Sequence, residues 1–238
     1  MIWLNESHPY HFEPEKGKPY KSSGGKMIYN DILKREIPQD WTVNTFGNYA
    51  NVNSGYAFKS SWWTENGSPV LKIKNINEDY TLNLNDLSYV SENNTKSASK
   101  FKSQQGDLVI AMTGATIGKF GIIPQTEKSI YINQRVGLYN LGNNPIKRLP
   151  FLINSMRQNF FRQKIFQVAG GAAQPNISGN QLDQLPLIKS NNQLEDRYNQ
   201  MQIPFYKKIL SNIEENQKLS ELRDWLLPML MNGQVKVK

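Results

Sequence analysis

The feature that most constrains this fold is the C-terminal stretch from Gln193 to Met231, where apolar residues recur at helical spacing. Steps of three and four residues place side chains on one face of a helix. This apolar stripe consists of Ile209, Ile213, Leu219, Leu222 and Leu226. Charged residues lie between its members, so the pattern predicts one long amphipathic helix that begins or kinks at Pro204 and bends or ends near Pro228. Gly233 then provides a stop signal.

Asn216 lies within the apolar stripe, where coiled coils often carry one polar residue that fixes the register of two helices. A single helix of this kind gains little stability by itself and needs a partner surface. Two partners fit the pattern: the helix packs back on its own domain, or it is an arm that pairs with a helix from elsewhere. We favour the arm, because the residues before it already look like a complete domain.

The residue inventory excludes several classes of protein. The chain has 238 residues and no cysteine, so it forms no disulfide and no thiolate metal site. His8 and His11 are the only histidines, and no further ligand or catalytic partner is evident beside them, so we expect no metal centre and no Ser–His–Asp triad. No stretch approaches the ~18 apolar residues of a membrane helix. The N-terminus lacks the pattern of a signal peptide, so we expect a cytoplasmic protein.

The formal net charge of +8 is concentrated in the middle of the chain. Residues 37–190 carry 15 basic and 9 acidic side chains, whereas residues 191–231 carry 5 and 6. A basic centre followed by a neutral helix is typical of a domain that faces a polyanion and an arm that faces protein. We therefore expect a leader rich in turn-forming residues at 1–36 with at most one hairpin, a globular domain at 37–190 and a helical region at 191–238.

Three stretches of the central domain predict regular structure. Apolar and polar residues alternate over 69–76, which predicts a strand whose lysines share one face. That face either contacts the phosphates of a nucleic acid or is simply exposed to solvent. Residues 106–123 predict an apolar strand, a turn of small residues and the start of a second strand. Residues 150–168 predict one helix. The residues expected on its buried side are Leu152, Met156, Phe160 and Ile165.

Two further clusters leave alternatives open. An aromatic group surrounds Lys59, and its rings either stack on bases or form part of the core. The rings belong to Tyr56, Phe58, Trp62 and Trp63. Gln134 and Arg135 have the forked side chains that read adenine and guanine, and the alternative is hydrogen bonding to a neighbouring loop.

No enzymatic site is evident. The run from Gly114 to Lys119 approaches a phosphate-binding loop, but only three residues separate Gly114 from Gly118. Phe120 also stands where that loop needs Ser or Thr for magnesium, so we exclude nucleotide hydrolysis. The carboxylate pairs lie in predicted loops without an acid–base partner, and we expect a chain that is not itself an enzyme.

Several stretches together resemble the specificity (S) subunit of type I restriction–modification systems. IPQDW resembles the entry to a target recognition domain. The successive motifs of such a domain resemble four later stretches, which are GDLVIAMTGATIGK, INQRVG, GGAAQPNIS and LDQLPLI. The family's long helical region and its C-terminal end resemble ENQKLSELRDWLLPMLMNGQV. The resemblance covers residues 37–238, in the order that the family shows.

The resemblance implies an α+β fold, in which a mixed α/β target recognition domain precedes a long C-terminal helix that pairs as an antiparallel coiled coil. Full-length members have two recognition domains and two long helices, whereas this chain has one of each. A natural half-subunit, a truncated gene copy and a piece of a longer chain all fit that difference. Two copies, or this chain with another half-subunit, would then pair through the helix and read a split DNA site.

The resemblance also implies partners. The chain would bind duplex DNA in a sequence-specific way and scaffold a methyltransferase (M) subunit and a restriction (R) subunit, with the helix as the docking surface for the former. S-adenosylmethionine, ATP and Mg²⁺ would be used by those partners, and no cofactor would be bound by this chain. The alternative is an adaptor or regulator that binds the methyltransferase subunit and reads no DNA.

Within this frame we select residues for each role. Lysine and arginine are expected mainly on phosphates, and Gln174 near a base edge. The expected DNA contacts are Lys59, Lys72, Lys74, Lys119, Arg135 and Gln174. The glycines expected to shape the backbone are Gly114, Gly118, Gly170 and Gly171.

Overall fold

Two four-stranded sheets form the centre of the protein in a computed structural model that describes residues 21, 24–170 and 175–233. The strands of the main sheet are β4 (Val52–Ser54), β8 (Leu108–Ala111), β9 (Phe120–Ile122) and β11 (Val136–Tyr139). They are antiparallel and lie in the order β4-β11-β8-β9. All four residues of β8 are buried, which confirms the apolar strand predicted within 106–123. Gly137 permits this packing, because a Cβ there would lie only 2.6 Å from Val52 Cγ1.

The second sheet lies beside the main one and corrects one prediction. Its strands are β5 (Trp63–Thr64), β6 (Ser68–Leu71), β7 (Ser88–Val90) and β10 (Tyr131–Ile132), in the order β10-β6-β7-β5. The strand predicted over 69–76 ends at Leu71, and Ile73–Asn75 form a 3-10 turn. The cause is the fully buried side chain of Asn75, which accepts a hydrogen bond from the Lys72 N–H at 2.9 Å and donates to the Asp86 carbonyl at 2.8 Å. These bonds turn the chain, so the two lysines do not share a strand face.

Short elements join the beginning and end of this region. β1 (Met27–Asn30) and β2 (Arg35–Pro38) form an antiparallel hairpin that crosses the boundary expected at residue 36, and Ile37 in it is buried. β3 (Thr42–Thr45) pairs with β12 (Pro186–Lys189). Beside this pair lie α1 (Phe46–Tyr49) and α4 (Gly179–Asp183). Asp183 accepts a hydrogen bond from the Val52 N–H at 2.8 Å, which ties α4 to the main sheet.

The single helix predicted over 150–168 is wrong. Two helices occupy that stretch, α2 (Leu149–Met156) and α3 (Asn159–Ala169). Gln158 between them is extended, with φ −68° and ψ 137°, so the helical ladder is interrupted there. The break turns Phe161 into the core at 3% exposure, whereas Phe160, expected on the buried side, is only half-buried.

The long C-terminal helix is confirmed, and of the two alternatives at Pro204, a start or a kink, the start is excluded. α5 (Asn192–Met231) has 40 residues and includes Pro204 and Pro228. Asn191 caps it by accepting a hydrogen bond from the Leu194 N–H at 2.8 Å. A proline inside a helix costs about 3 kcal/mol. Packing of the helix on its own domain offsets that cost, since Tyr206 just after Pro204 is 4% exposed.

A buried polar network fastens the start of α5 to the domain. Asn199 is 3% exposed, and its side-chain oxygen accepts a hydrogen bond from the Phe151 N–H at 2.9 Å. Its amide nitrogen donates to the Tyr49 hydroxyl at 3.4 Å. The Asn154 amide donates to the Tyr206 hydroxyl at 3.3 Å. We call these residues the docking network, because they join α5 to α1 and α2.

Further along α5, hydrogen bonds to the domain continue as far as Gln217. The Glu214 carboxylate accepts from the Gln105 amide at 2.7 Å and from the Gln125 N–H at 3.3 Å. Gln217 donates to Asn85 at 2.8 Å. The first part of α5 therefore packs on its own domain, which is one of the two alternatives that the sequence left open.

We predict that Asn199→Ala lowers the free energy of unfolding by about 1–3 kcal/mol, because the Phe151 N–H would remain buried without a partner. Urea denaturation measures this change. Asn212→Ala is the matched control, since Asn212 is exposed on the same helix and should change stability by less than ~0.5 kcal/mol. Equal effects of the two substitutions would show that the docking network does not hold the helix.

Candidate nucleic-acid interface

Loops from four parts of the chain meet at one end of the main sheet. The Met112 N–H donates to the Arg135 carbonyl at 3.0 Å, and the Gln134 N–H donates to the Tyr56 carbonyl at 3.0 Å. The Gly114 N–H donates to the Pro175 carbonyl at 2.9 Å. We call this surface the loop end and define it as residues 55–59, 112–119, 133–135 and 175–177. It brings together most of the motifs singled out from the sequence.

Two of the expected backbone-shape glycines have conformations that favour glycine. Gly114 has φ +73° and Gly118 has φ +80°, in the left-handed region. A Cβ on Gly118 would lie 3.1 Å from Ile165 Cδ1, so this turn also packs closely against α3. Gly170 ends α3 with an ordinary φ of −72°, and a Cβ there would lie 2.7 Å from the Phe166 carbonyl oxygen. Gly171 lies outside the described residues.

Three of the expected DNA contacts lie at the loop end. Arg135 is exposed in the turn between β10 and β11. Lys59 is exposed, with its ammonium 5.3 Å from the centre of the Trp62 ring. Lys119 is half-buried and lies 3.0 Å from the Glu78 carboxylate. Lys119 hydrogen-bonds to this carboxylate, and its charge also helps to hold the pKa of Glu78 below its usual range.

The remaining candidates are engaged elsewhere or not described. The Lys72 ammonium lies 3.4 Å from the centre of the Trp63 ring, and burial followed by the charge of Lys74 lowers its pKa. Lys74 forms an ion pair with Asp86 at 2.7 Å. Gln174 lies outside the described residues. Of the five described candidates, the structure therefore places three at the loop end, while Lys72 and Lys74 contact other side chains.

The aromatic group around Lys59 is mainly core. Phe58 is 8% exposed and packs with Val70, Val90 and Tyr131. The rings of Tyr56 and Trp62 stack at 6.3 Å, and both are half-buried. The packing favours the core interpretation for these rings, while Trp62 keeps part of its surface beside Lys59.

Sequence reasoning missed a groove of about 590 Å³ beside β4. Its polar lining residues are Asn53, Ser54, Lys100, Ser178 and Asn180. No carboxylate lines it. The lining comes from four parts of the chain, around residues 52–55, 100–101, 132–138 and 178–180, so no local pattern in the sequence could have revealed it.

Sequence reasoning also missed how the positive charge is distributed. Between Glu127 and Asp183 the chain contains no acidic residue. The basic residues of this interval are Lys128, Arg135, Lys147, Arg148, Arg157, Arg162 and Lys164. The total charge of residues 37–190 does not reveal this interval, because the acidic residues of that region lie before and after it. The interval includes part of the loop end and all of α3.

Two carboxyl groups with raised pKa values form hydrogen bonds within the fold. Burial raises the pKa of Asp107 to about 6, and its carboxylate accepts a hydrogen bond from the Gln104 N–H at 2.9 Å. Burial also raises the pKa of Asp183, which bonds Val52. No group of three or more His, Cys, Asp or Glu in the described residues could hold a metal ion. His8 and His11 lie outside those residues.

The face of α5 that points away from the domain carries exposed apolar side chains. Met201, Phe205, Leu219 and Leu222 are between 48% and 64% exposed. Of the other residues expected to contact a partner helix, Ile209 and Asn216 are exposed, while Ile213 and Leu226 are half-buried. Within the described part of the chain, no helix has the length and apolarity needed to cross a membrane.

We predict that Gly118→Ala destabilises the fold more than Gly142→Ala does. The two glycines have nearly the same φ, +80° and +79°, so both substitutions add similar backbone strain. Only at Gly118 would the new Cβ press on Ile165, whereas nothing lies within 4 Å at Gly142. Comparison of the two urea unfolding midpoints isolates the contact between the loop end and α3, and identical midpoints would argue against it.

Comparison with known proteins identifies the family. The profile of the type I restriction modification DNA specificity domain matches residues 38–217. The MjaVIII specificity subunit of Methanocaldococcus jannaschii is 25% identical over 214 residues, which cover 85% of this chain and 48% of that protein. The HindI specificity subunit of Haemophilus influenzae is 23% identical over 204 residues, or 84% of this chain and 42% of that protein.

The fold has a solved counterpart as well. The crystal structure of a type I restriction-modification system S subunit from M. genitalium matches with a TM-score of 0.50 and 14% identity. The match covers 79% of this chain and 45% of that structure. This chain spans about half the length of the relatives that it matches. Because the family profile spans most of the described residues, this chain belongs to the type I restriction modification DNA specificity domain family.

Proposed function

We propose that this chain is the specificity subunit of a type I restriction–modification complex and binds duplex DNA at a defined sequence. The observation that supports the proposal is the family match across 38–217, which includes both the recognition domain and most of α5. The acid-free, basic interval at the loop end and α3 adds physical support. A surface of this kind attracts the phosphate backbone of DNA and releases its counterions.

The chemistry of the complex belongs to partner subunits in this proposal. A methyltransferase subunit uses S-adenosylmethionine to methylate adenine, and a restriction subunit uses ATP and Mg²⁺. The chain itself is non-catalytic, binds none of these cofactors and acts in the cytoplasm. Its contribution is to select the DNA site and to hold the partners there.

The apolar outward face of α5 is the proposed contact surface for other helices. Exposed Leu219 and Leu222 suit a helix–helix contact, and exposed Asn216 suits a position that fixes register. A second copy, or another half-subunit, would pair with this face and supply a second recognition domain. Two domains held by a helical spacer would read a split site.

The experiment that tests the function is a genome-wide map of adenine methylation with and without the gene. We predict that one split motif loses its methyl groups when the gene is deleted. A palindromic motif would indicate that two copies of this chain pair, and an asymmetric motif would indicate two different half-subunits. An unchanged map, together with retained binding to the methyltransferase subunit, would instead support the adaptor.

We also predict that Arg135→Ala weakens binding to every duplex and reduces the slope of log affinity against log salt concentration by about 1, as expected when one phosphate contact is lost. Lys74→Ala is the matched control, because Lys74 is already paired with Asp86 and should leave the slope unchanged. Fluorescence anisotropy at several salt concentrations measures both slopes. An unchanged slope for Arg135→Ala would exclude this residue from the DNA contact.

A further inference from the structure

α3 presents one buried face and one free face. Phe161, Ile165 and Ala169 are buried at spacings of four residues and fix the inner side of the helix. The exposed residues of the helix are Asn159, Arg162, Gln163, Phe166, Gln167 and Val168, and we call the side that includes Gln163 and Phe166 the outer face. Packing of the inner face explains why α3 folds where it does. The outer face makes no core contact, so folding does not determine which residues it carries.

The outer face carries side chains of the types that read base edges in protein–DNA complexes. Arg162 can donate two hydrogen bonds to guanine, and Gln163 and Gln167 can each pair with adenine through a side-chain amide. Phe166 is 45% exposed and offers an apolar surface for the methyl group of thymine. An isolated exposed phenylalanine needs no explanation, but here Arg162 and Gln163 precede it by four and three residues and therefore flank it on the helix surface.

Charge complementarity indicates a nucleic acid as the occupant. α3 contains Arg162 and Lys164 and no acidic residue, and it lies within the acid-free interval. Arg157 precedes it, with its guanidinium 4.6 Å from the centre of the Tyr80 ring. Glu78 is a carboxylate near Arg162, and its ion pair with Lys119 at 3.0 Å offsets its charge. The cations near α3 therefore exceed the carboxylates, which favours a polyanion over a basic protein surface.

The position and size of α3 suit the major groove. Gly118 packs against Ile165, so the helix runs directly beside the loop end where Arg135 and Lys59 are exposed. A helix of 11 residues is about 16 Å long and, with its side chains, about 10–12 Å across. The major groove of B-form DNA is ~12 Å wide and admits such a helix. Cations on both sides of an inserted helix would then face the phosphates.

We propose that α3 enters the major groove and that Arg162, Gln163, Phe166 and Gln167 determine the half-site sequence. This inference rests on the proposed DNA binding and adds which element reads the bases. Lys164 on the flank of the helix contacts a phosphate, while its ammonium lies 3.1 Å from the Gln167 side-chain oxygen in the free protein. Arg162, 5.7 Å from the centre of the Phe166 ring, is held on the outer face before DNA arrives.

The test selects duplexes of randomised sequence with the full chain in complex with its methyltransferase subunit. The wild type should enrich one motif. The double substitution Gln163→Ala with Gln167→Ala should reduce preference at one or two positions of each half-site by roughly tenfold to a hundredfold. The salt slope should not change, because neither glutamine contacts a phosphate.

Lys164→Ala is the matched control on the same helix. It should weaken binding to all duplexes and lower the salt slope by about 1, while the enriched motif stays the same. Circular dichroism of each variant should match the wild type, since the substituted side chains lie outside the core and alanine favours a helix.

Three outcomes would overturn the inference in different ways. If the glutamine double variant enriches the wild-type motif with equal preference, DNA binding stands and another element reads the bases. If that variant instead fails to join the methyltransferase subunit, α3 is a protein contact. If the wild type enriches no motif, the proposed DNA function itself fails, and the assignment of α3 fails with it.

Discussion

The buried amide of Asn199 is the interaction on which the arrangement of this molecule depends. It accepts the Phe151 N–H and donates to the Tyr49 hydroxyl, so one side chain joins α5 to two helices of the domain. In an interior site, a complete set of hydrogen bonds offsets the free energy of removing the amide from water. If one partner is lost, the buried group left unpaired lowers the stability of the fold. The network therefore does more than add stability. It gives the recognition domain and the long helix one defined orientation, which apolar contacts alone would fix less strictly.

Charge and hydrophobicity distinguish two surfaces of the protein. The acid-free interval between Glu127 and Asp183 gives the loop end and α3 a positive surface, while α5 carries nearly balanced charge and an exposed apolar face. Polyanions and helices are recognised by different physics, the first by counterion release and the second by burial of apolar surface. The proposed function, which joins DNA to protein subunits, would require both kinds of surface.

Local patterns predicted the fold well where one signal dominated. The apolar run at Leu108, the glycines at 114 and 118 and the long C-terminal helix were all legible because spacing or backbone chemistry determined them. The failures came where distant residues intervened. Asn75 ends a predicted strand through a bond to Asp86, and packing around Tyr206 carries a helix through Pro204. The groove beside β4 was invisible for the same reason, since its lining converges only on folding.

The length of α5 gives its attachment a mechanical meaning. At 1.5 Å per residue, 40 residues span about 60 Å. Among the described residues, Gln217 is the last residue of α5 that hydrogen-bonds to the domain, and most residues after it are exposed. The 14 residues after Gln217 form a free segment about 21 Å long. A tilt of roughly 5° about Gln217 moves the end of this segment by only about 2 Å. The contacts along the first 26 residues of α5 therefore hold the end of the helix at a nearly constant position relative to the domain, so a partner bound there would keep its distance from the loop end.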